Sequence, residues 1–230
     1  MSGEDGRIER KSSPAPPMSA ALRAAVLARS TPVRPLLSPE YRAGAVLGAG
    51  FVVAAVYLAV NGLRADAPRL GPLVVWLPAM LRVAAGAWLI LLATREASPS
   101  DGAPSRIRTA ALLVVPLLLA GSAEALARVG LGGAGVGPLR CYGEVIALAI
   151  PATLLAGWLL ERAYPLRPVF ASIAAVVGVG LLAETALHLT CPSTSPAHTL
   201  LIHGGALATA AAAGAALGWG RLRSRMRGAL

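Results

Sequence analysis

The chain of 230 residues is 56% hydrophobic and 14% charged, with a mean hydropathy of +0.65, more apolar than the core of a soluble domain of this length requires. A net charge of +10 would suit nucleic acid if the basic residues were clustered, but they stand singly in short breaks between apolar runs. That spacing argues against direct nucleic-acid binding and for a membrane-topology signal.

No secretory signal is expected at the start of the sequence, since residues 1–17 are polar and proline-rich and the first apolar run begins near Ala43. The tail 1–17 is too polar to bury anything and is read as disordered. A short amphipathic helix is expected next, over 19–29, where Ser19 can cap and Leu22, Val26 and Arg29 recur at helical spacing. Pro32, Pro35 and Pro39 then break it, because each proline fixes φ and keeps the preceding residue extended. Six apolar segments follow at about 43–62, 73–94, 110–127, 145–160, 168–189 and 200–219, each long enough or nearly so to cross roughly 30 Å of hydrocarbon. Pro78, Pro116 and Pro151 fall inside three of them, which a bilayer tolerates when neighbouring helices satisfy the freed carbonyls. The glycine-rich run 129–138 reads as a loop. The expected architecture is all-α: a disordered tail 1–17, a cytoplasmic segment 18–42, a transmembrane domain of six helices over 43–219, and a basic tail 220–230.

Counting basic residues on the two sides of this layout gives sixteen on the side of both termini against Arg64, Arg69, Arg128 and Arg140 on the other. Both termini are therefore expected in the cytoplasm, with the chain in a bacterial inner membrane. Cys141 and Cys191, the only cysteines, then fall in two loops on the outer, oxidising side. A disulfide between them is expected, two inert small residues being the alternative. Arg82, Glu124, Glu184, His188 and His203 are charged or polar groups within apolar segments, where each is costly unless paired. Counted from the outer ends, Arg82, Glu124, Glu184 and His203 lie in the outer half, and Arg82 can reach Glu184 or Glu124. Such a cluster serves as ion-pair glue between helices or as a sensing or proton-handling group.

His188, Cys191, His198 and His203 are metal-donor types, but they lack the tight pairs such as C-x-x-C or H-x-x-x-H that metal sites favour, so neither metal nor other cofactor is expected. The chain carries no P-loop, nucleotide fingerprint, nucleophile elbow or paired catalytic carboxylates, and an enzyme is not expected.

The segment Pro32-Val33-Arg34-Pro35-Leu36 with Ser38-Pro39 and Arg42, six apolar runs, and Leu187-His188-Leu-x-Cys191-Pro192 with His203 on the last run together resemble the NrsF group of membrane anti-sigma factors. In size and layout the chain is also similar to CarR-like myxobacterial regulators. The resemblance implies that the cytoplasmic segment binds a sigma factor and holds it at the lipid bilayer until a stress signal, redox or light-linked, releases it. It also implies that Cys141 and Cys191 are redox-responsive. In this reading Leu22, Arg23, Val26, Leu27, Arg29 and Arg34 contact the partner, as a helix too short to be stable alone would fold on binding. The competing reading is a small transporter or a membrane redox or metal-binding subunit in which Arg82, Glu184, His188 and His203 line a path.

Overall fold

The computed structural model describes residues 19–29, 36–96, 104–129 and 137–228. The chain divides into two units, Met1–Pro35 and Leu36–Leu230. In the first, helix α1 spans Ala20–Arg29, its first turn closed by the Arg23 amide donating to the Ser19 carbonyl at 3.0 Å. The tail expected at 1–17, the proline segment 30–35 with Arg34, and the glycine run 130–136 lie outside the described residues, as do the side chains of Leu22, Val26, Leu27 and Arg29.

The second unit holds α2 (Pro39–Asn61), α3 (Ala67–Leu70), α4 (Pro72–Arg95), α5 (Ser105–Val129), α6 (Pro138–Ala163), α7 (Pro168–Thr190), α8 (Pro196–His198) and α9 (Gly204–Gly228), with a π turn over Thr199–His203 between the last two. Proline is the first residue of α2, α4, α6, α7 and α8, where its missing N–H costs nothing and its fixed φ already suits the helix. Ser38 caps α2 by accepting the Tyr41 amide at 3.2 Å. Glycine ends it, Gly62 adopting φ 73°, a left-handed value that a side chain would strain. Among the described residues, six helices are long and apolar enough to cross a membrane, as the sequence leads one to expect. Two differences from the expected layout are instructive. The fourth of the six helices begins at Pro138, not near 145, so Cys141 lies in its first turn instead of in a loop. The short α3 occupies the first connection, where no helix was expected.

Helix α7 is the axis of this unit. Of its apolar stretch 83% is buried, against 17–39% in the other five, and it packs on α2, α4, α6 and α9. Small residues make such close company possible. A Cβ added at Gly86 of α4 would stand 2.8 Å from the Gly178 carbonyl oxygen, and one at Gly178 would stand 2.8 Å from that of Gly86, so the two backbones touch. On the other flank, Gly214 and Gly218 of α9 lie directly against the backbone of Ser172 and Val169. Large apolar side chains point away from the bundle, among them Val56, Val60, Leu73, Met80, Leu117 and Leu154, while Arg82 and Glu184 are fully buried. This reversal of the soluble pattern suits a hydrocarbon solvent.

The two ends of the bundle differ in chemistry. At one, Glu96 is buried and paired with Arg167 at 3.2 Å and Arg108 at 3.7 Å. There Arg42 donates to the Thr94 carbonyl at 3.1 Å, Arg225 to that of Pro165 at 2.8 Å, and Arg221 to Ser172 Oγ at 2.7 Å. Arginine therefore knots together the start of α2, the ends of α4, α6 and α9, and the start of α7. The opposite end carries the connections 62–71 and 191–195. Here the Arg64 amide donates to the Leu189 carbonyl at 2.9 Å, and the Arg64 guanidinium grips Asp66 at 2.6 and 2.8 Å.

Candidate functional site

A continuous line of polar side chains runs across the interior, below the 191–195 end. Ser122 of α5 accepts Arg82 Nη2 at 2.8 Å, and Arg82 Nε of α4 lies 2.5 Å from Glu184 Oε2 of α7. The second oxygen of Glu184 is 3.2 Å from Nδ1 of His203, at the end of the π turn. Arg82 and Glu184 are each 0% exposed, and an unpaired charge in such surroundings would cost several kcal/mol, so four elements are tied together by the requirement that both be satisfied.

Beyond His203 the line opens into a cluster of sulfur and nitrogen donors. Cys141 Sγ and Cys191 Sγ are 3.7 Å apart, and Cys191 Sγ is 3.7 Å from His198 Nε2. Donor atoms of Cys141, Cys191, His198 and His203 all lie within 4.8 Å of one another. Each comes from a different local structure. Cys141 projects from the first turn of α6, Cys191 ends α7 ahead of Pro192, and the two histidines bracket the π turn. In an α-helix, residues five apart are rotated by about 140° and face different ways. Bonding from i to i+5 brings them nearly into line, and Gly204 N–H indeed reaches back to the Thr199 carbonyl. The His198 and His203 rings meet edge to face with centroids 5.2 Å apart. A π turn inside a long helix is uncommon and concentrates at sites with a task.

Both thiols are buried at the edge of a cleft. Cys141 and Cys191 line a polar cleft of about 170 Å³ with Tyr57, Asn61, Arg140, Glu144 and Thr190. Its wall is braced by Glu144, which accepts Tyr57 Oη at 2.8 Å and Arg140 Nε at 2.8 Å. Burial pushes the Cys191 thiol up, but the adjacent His203 ring and the Ser193 backbone N–H outweigh it, and the thiol lies below its ordinary value.

The expected polar residues separate into those the fold gathers and those it does not. Arg82, Glu184 and His203 are contiguous, and Ser122 joins them from the helix where Glu124 was expected to do so. Glu124 instead faces outward and pairs with Arg128 at 3.0 Å, because two residues along a helix turn the side chain by about 200°. His188 is buried but stands apart from the donor cluster, its Nε2 3.2 Å from the Val75 carbonyl. Of the donors named from sequence, Cys191, His198 and His203 meet, and Cys141 takes the place of His188. Arg23 of α1 is exposed. Glu96 escaped the sequence reading, although a lone acid between an apolar helix and a basic connection is the signal that could have found it.

A family model described as NrsF, negative regulator of sigma F, matches residues 27–223. No curated protein and no solved structure matches.

Proposed function

The chain belongs to the NrsF family, negative regulators of sigma F, and from that premise we propose that it is a membrane anti-sigma factor with its arginine-rich end in the cytoplasm. The family is one of regulators rather than enzymes, and negative regulation of a sigma factor makes a sigma factor its protein partner. The observation that carries the proposal is the extent of the match, which takes in most of the chain, from within α1 to within the last turns of α9.

The six apolar helices cross a bacterial inner membrane. The arginines at the Glu96 end, with those of 221–227, follow the excess of basic residues that cytoplasmic faces carry. Residues 18–42 hold the sigma factor there, Arg23 with Leu22, Val26, Leu27, Arg29 and Arg34 forming the contact. The opposite, periplasmic end receives the signal. Support for that placement is the pair of thiols 3.7 Å apart beside a polar cleft, in a compartment where cysteine chemistry is used. Release then requires two packings of the helices of unequal affinity for the partner, with the state of the thiols biasing them.

The test is made in the host. Deleting the gene raises transcription from promoters of one sigma factor, the full-length protein restores repression, and a chain lacking 18–42 but still in the membrane does not. Full repression by the shortened chain refutes the assignment of the partner site, and unchanged transcription on gene deletion refutes the function.

A further inference from the structure

We propose that Cys141, Cys191, His198 and His203 form a tetrahedral site for a transition-metal ion of the zinc class, and that Glu184 and Arg82 are its supporting residues. The distances fit an ion at the centre. With Zn–S near 2.3 Å and Zn–N near 2.0–2.1 Å, tetrahedral angles require sulfurs about 3.8 Å apart and sulfur and nitrogen about 3.6 Å apart. The Cys141–Cys191 and Cys191–His198 separations are both 3.7 Å. No helix repacking is needed to close four donors already within 4.8 Å of one another.

The second observation concerns His203. Its Nδ1 is engaged by Glu184 at 3.2 Å, whereas its Nε2 is buried without any hydrogen-bond partner. A buried ring nitrogen left in this way is costly unless a ligand completes it. Metal-binding histidines characteristically give their other ring N–H to a carboxylate, which fixes the tautomer and turns the lone pair toward the ion. Glu184 stands in that position, and it is itself held by Arg82 at 2.5 Å, which is held by Ser122 at 2.8 Å. The polar line through the bundle thus ends on the atom that a metal would use.

Charge closes the argument. Binding replaces the protons of the two thiols, two Cys–SH and one divalent cation giving a bis-thiolate complex and two released protons. The divalent ion, two thiolates and two neutral imidazoles sum to zero, and so do Arg82 and Glu184. A neutral assembly is what a low-dielectric interior accepts. The cleft past Tyr57, Asn61 and Glu144 is the way in for the ion, and Pro192 lies at its edge. This site deepens the functional reading, since it names what the periplasmic end would take, but the metal binding itself does not depend on a sigma factor.

The experiment uses the full-length protein, purified reduced and anaerobically in detergent, and titrates it with Co²⁺ as a spectroscopic stand-in for zinc. One equivalent is expected to give the visible bands of tetrahedral cobalt and a thiolate-to-cobalt charge-transfer band, both removed by Zn²⁺. Cys141→Ser and His198→Ala abolish the tetrahedral spectrum, and Glu184→Gln weakens affinity by about 10–100-fold as supporting carboxylates do. His188→Gln, which alters a histidine outside the cluster, leaves the titration unchanged and guards against adventitious histidine binding. Absence of a tetrahedral thiolate spectrum in protein whose two thiols are shown to be reduced overturns the site, as does an unchanged spectrum in Cys141→Ser. A protein that binds one cobalt ion but fails to repress transcription keeps the site and loses the function, and the converse keeps the function and loses the site.

Discussion

Replacing Glu184 by leucine isolates the energetics of the buried line. Arg82 then sits in a fully buried position with Ser122 as its remaining partner at 2.8 Å, and its Nε loses the carboxylate 2.5 Å away. Removing one member of such a pair typically costs about 3–5 kcal/mol, a large part of the roughly 5–15 kcal/mol that holds a protein of ordinary stability together. For a chain of this length 1 kcal/mol moves the midpoint by about 2–4 °C, so Glu184→Leu should lower the thermal midpoint in detergent by about 6–20 °C. Arg82→Met alone should act similarly, leaving the carboxylate with His203 only. The double variant Arg82→Met with Glu184→Leu removes both charges together and should recover most of the loss, because burying a pair costs nearly as much as the pair returns. Thermal unfolding followed by loss of helical circular dichroism, run as a double-mutant cycle, reads the coupling directly. If each single change moves the midpoint by less than about 2 °C, or if the double change merely sums the two, the buried pair does not organise the bundle.

The remaining expectations concern packing, the thiols and the outer connection. Gly178→Val should destabilise by about 1–3 kcal/mol or prevent folding, since its Cβ would press within 2.8 Å of the Gly86 carbonyl oxygen, whereas Gly48→Ala, with nothing within 4 Å, should be neutral or stabilising by up to about 1 kcal/mol. Comparable yields and midpoints for the two would contradict the close contact of α4 and α7. Treating the purified protein with a thiol oxidant should join Cys141 to Cys191, seen in intact mass as the loss of two hydrogens and in protection from maleimide labelling; labelling of both thiols after oxidation would show that they cannot approach. At the 62–71 connection, the Arg64 hydrogen bonds hold the Asp66 carboxyl below its usual value. A depressed carboxylate contributes stability above its unfolded pKa of about 3.9 and loses it as pH falls through the lower folded value. Protection of the Arg64 amide, bonded to the Leu189 carbonyl, should therefore persist near neutrality and fade only below about pH 4, and Asp66→Asn should remove that dependence in hydrogen exchange.

Six long apolar runs were legible because a helix that crosses hydrocarbon must be nearly uniform in composition. That same uniformity hid which helix is central. Nothing in the hydropathy of 168–190 distinguishes it from its neighbours; only Gly178 and the row of alanines around it, matched by Gly86 and Gly214, record how many backbones approach it. The ion pair of Arg82 was foreseen with two possible partners, and geometry chose Glu184 because Glu124 lies on the other face of its helix from Ser122. The donor cluster is hidden in the sequence for a different reason. A spacing of five between His198 and His203 disqualifies a pair only if the helix is α, and sequence offers no strong mark of a π turn. The apolar run begins only after Cys141 and so suggests a loop there, yet Pro138 starts the helix about two turns ahead of that run.

The π turn also fixes a phase. Every residue in an α-helix advances by about 100°, so what happens at Thr199–His203 determines which way each later side chain of α9 faces. Gly214 and Gly218, which let α9 settle on Ser172 and Val169 near the arginine-rich end, are in register with the two histidines only through that extra residue. Deleting one residue between His198 and His203 would restore an ordinary helix, but either the rings would part or the glycines would turn off their seat by about 100°. The turn is thus the gear tooth that keeps the two ends of the molecule in step.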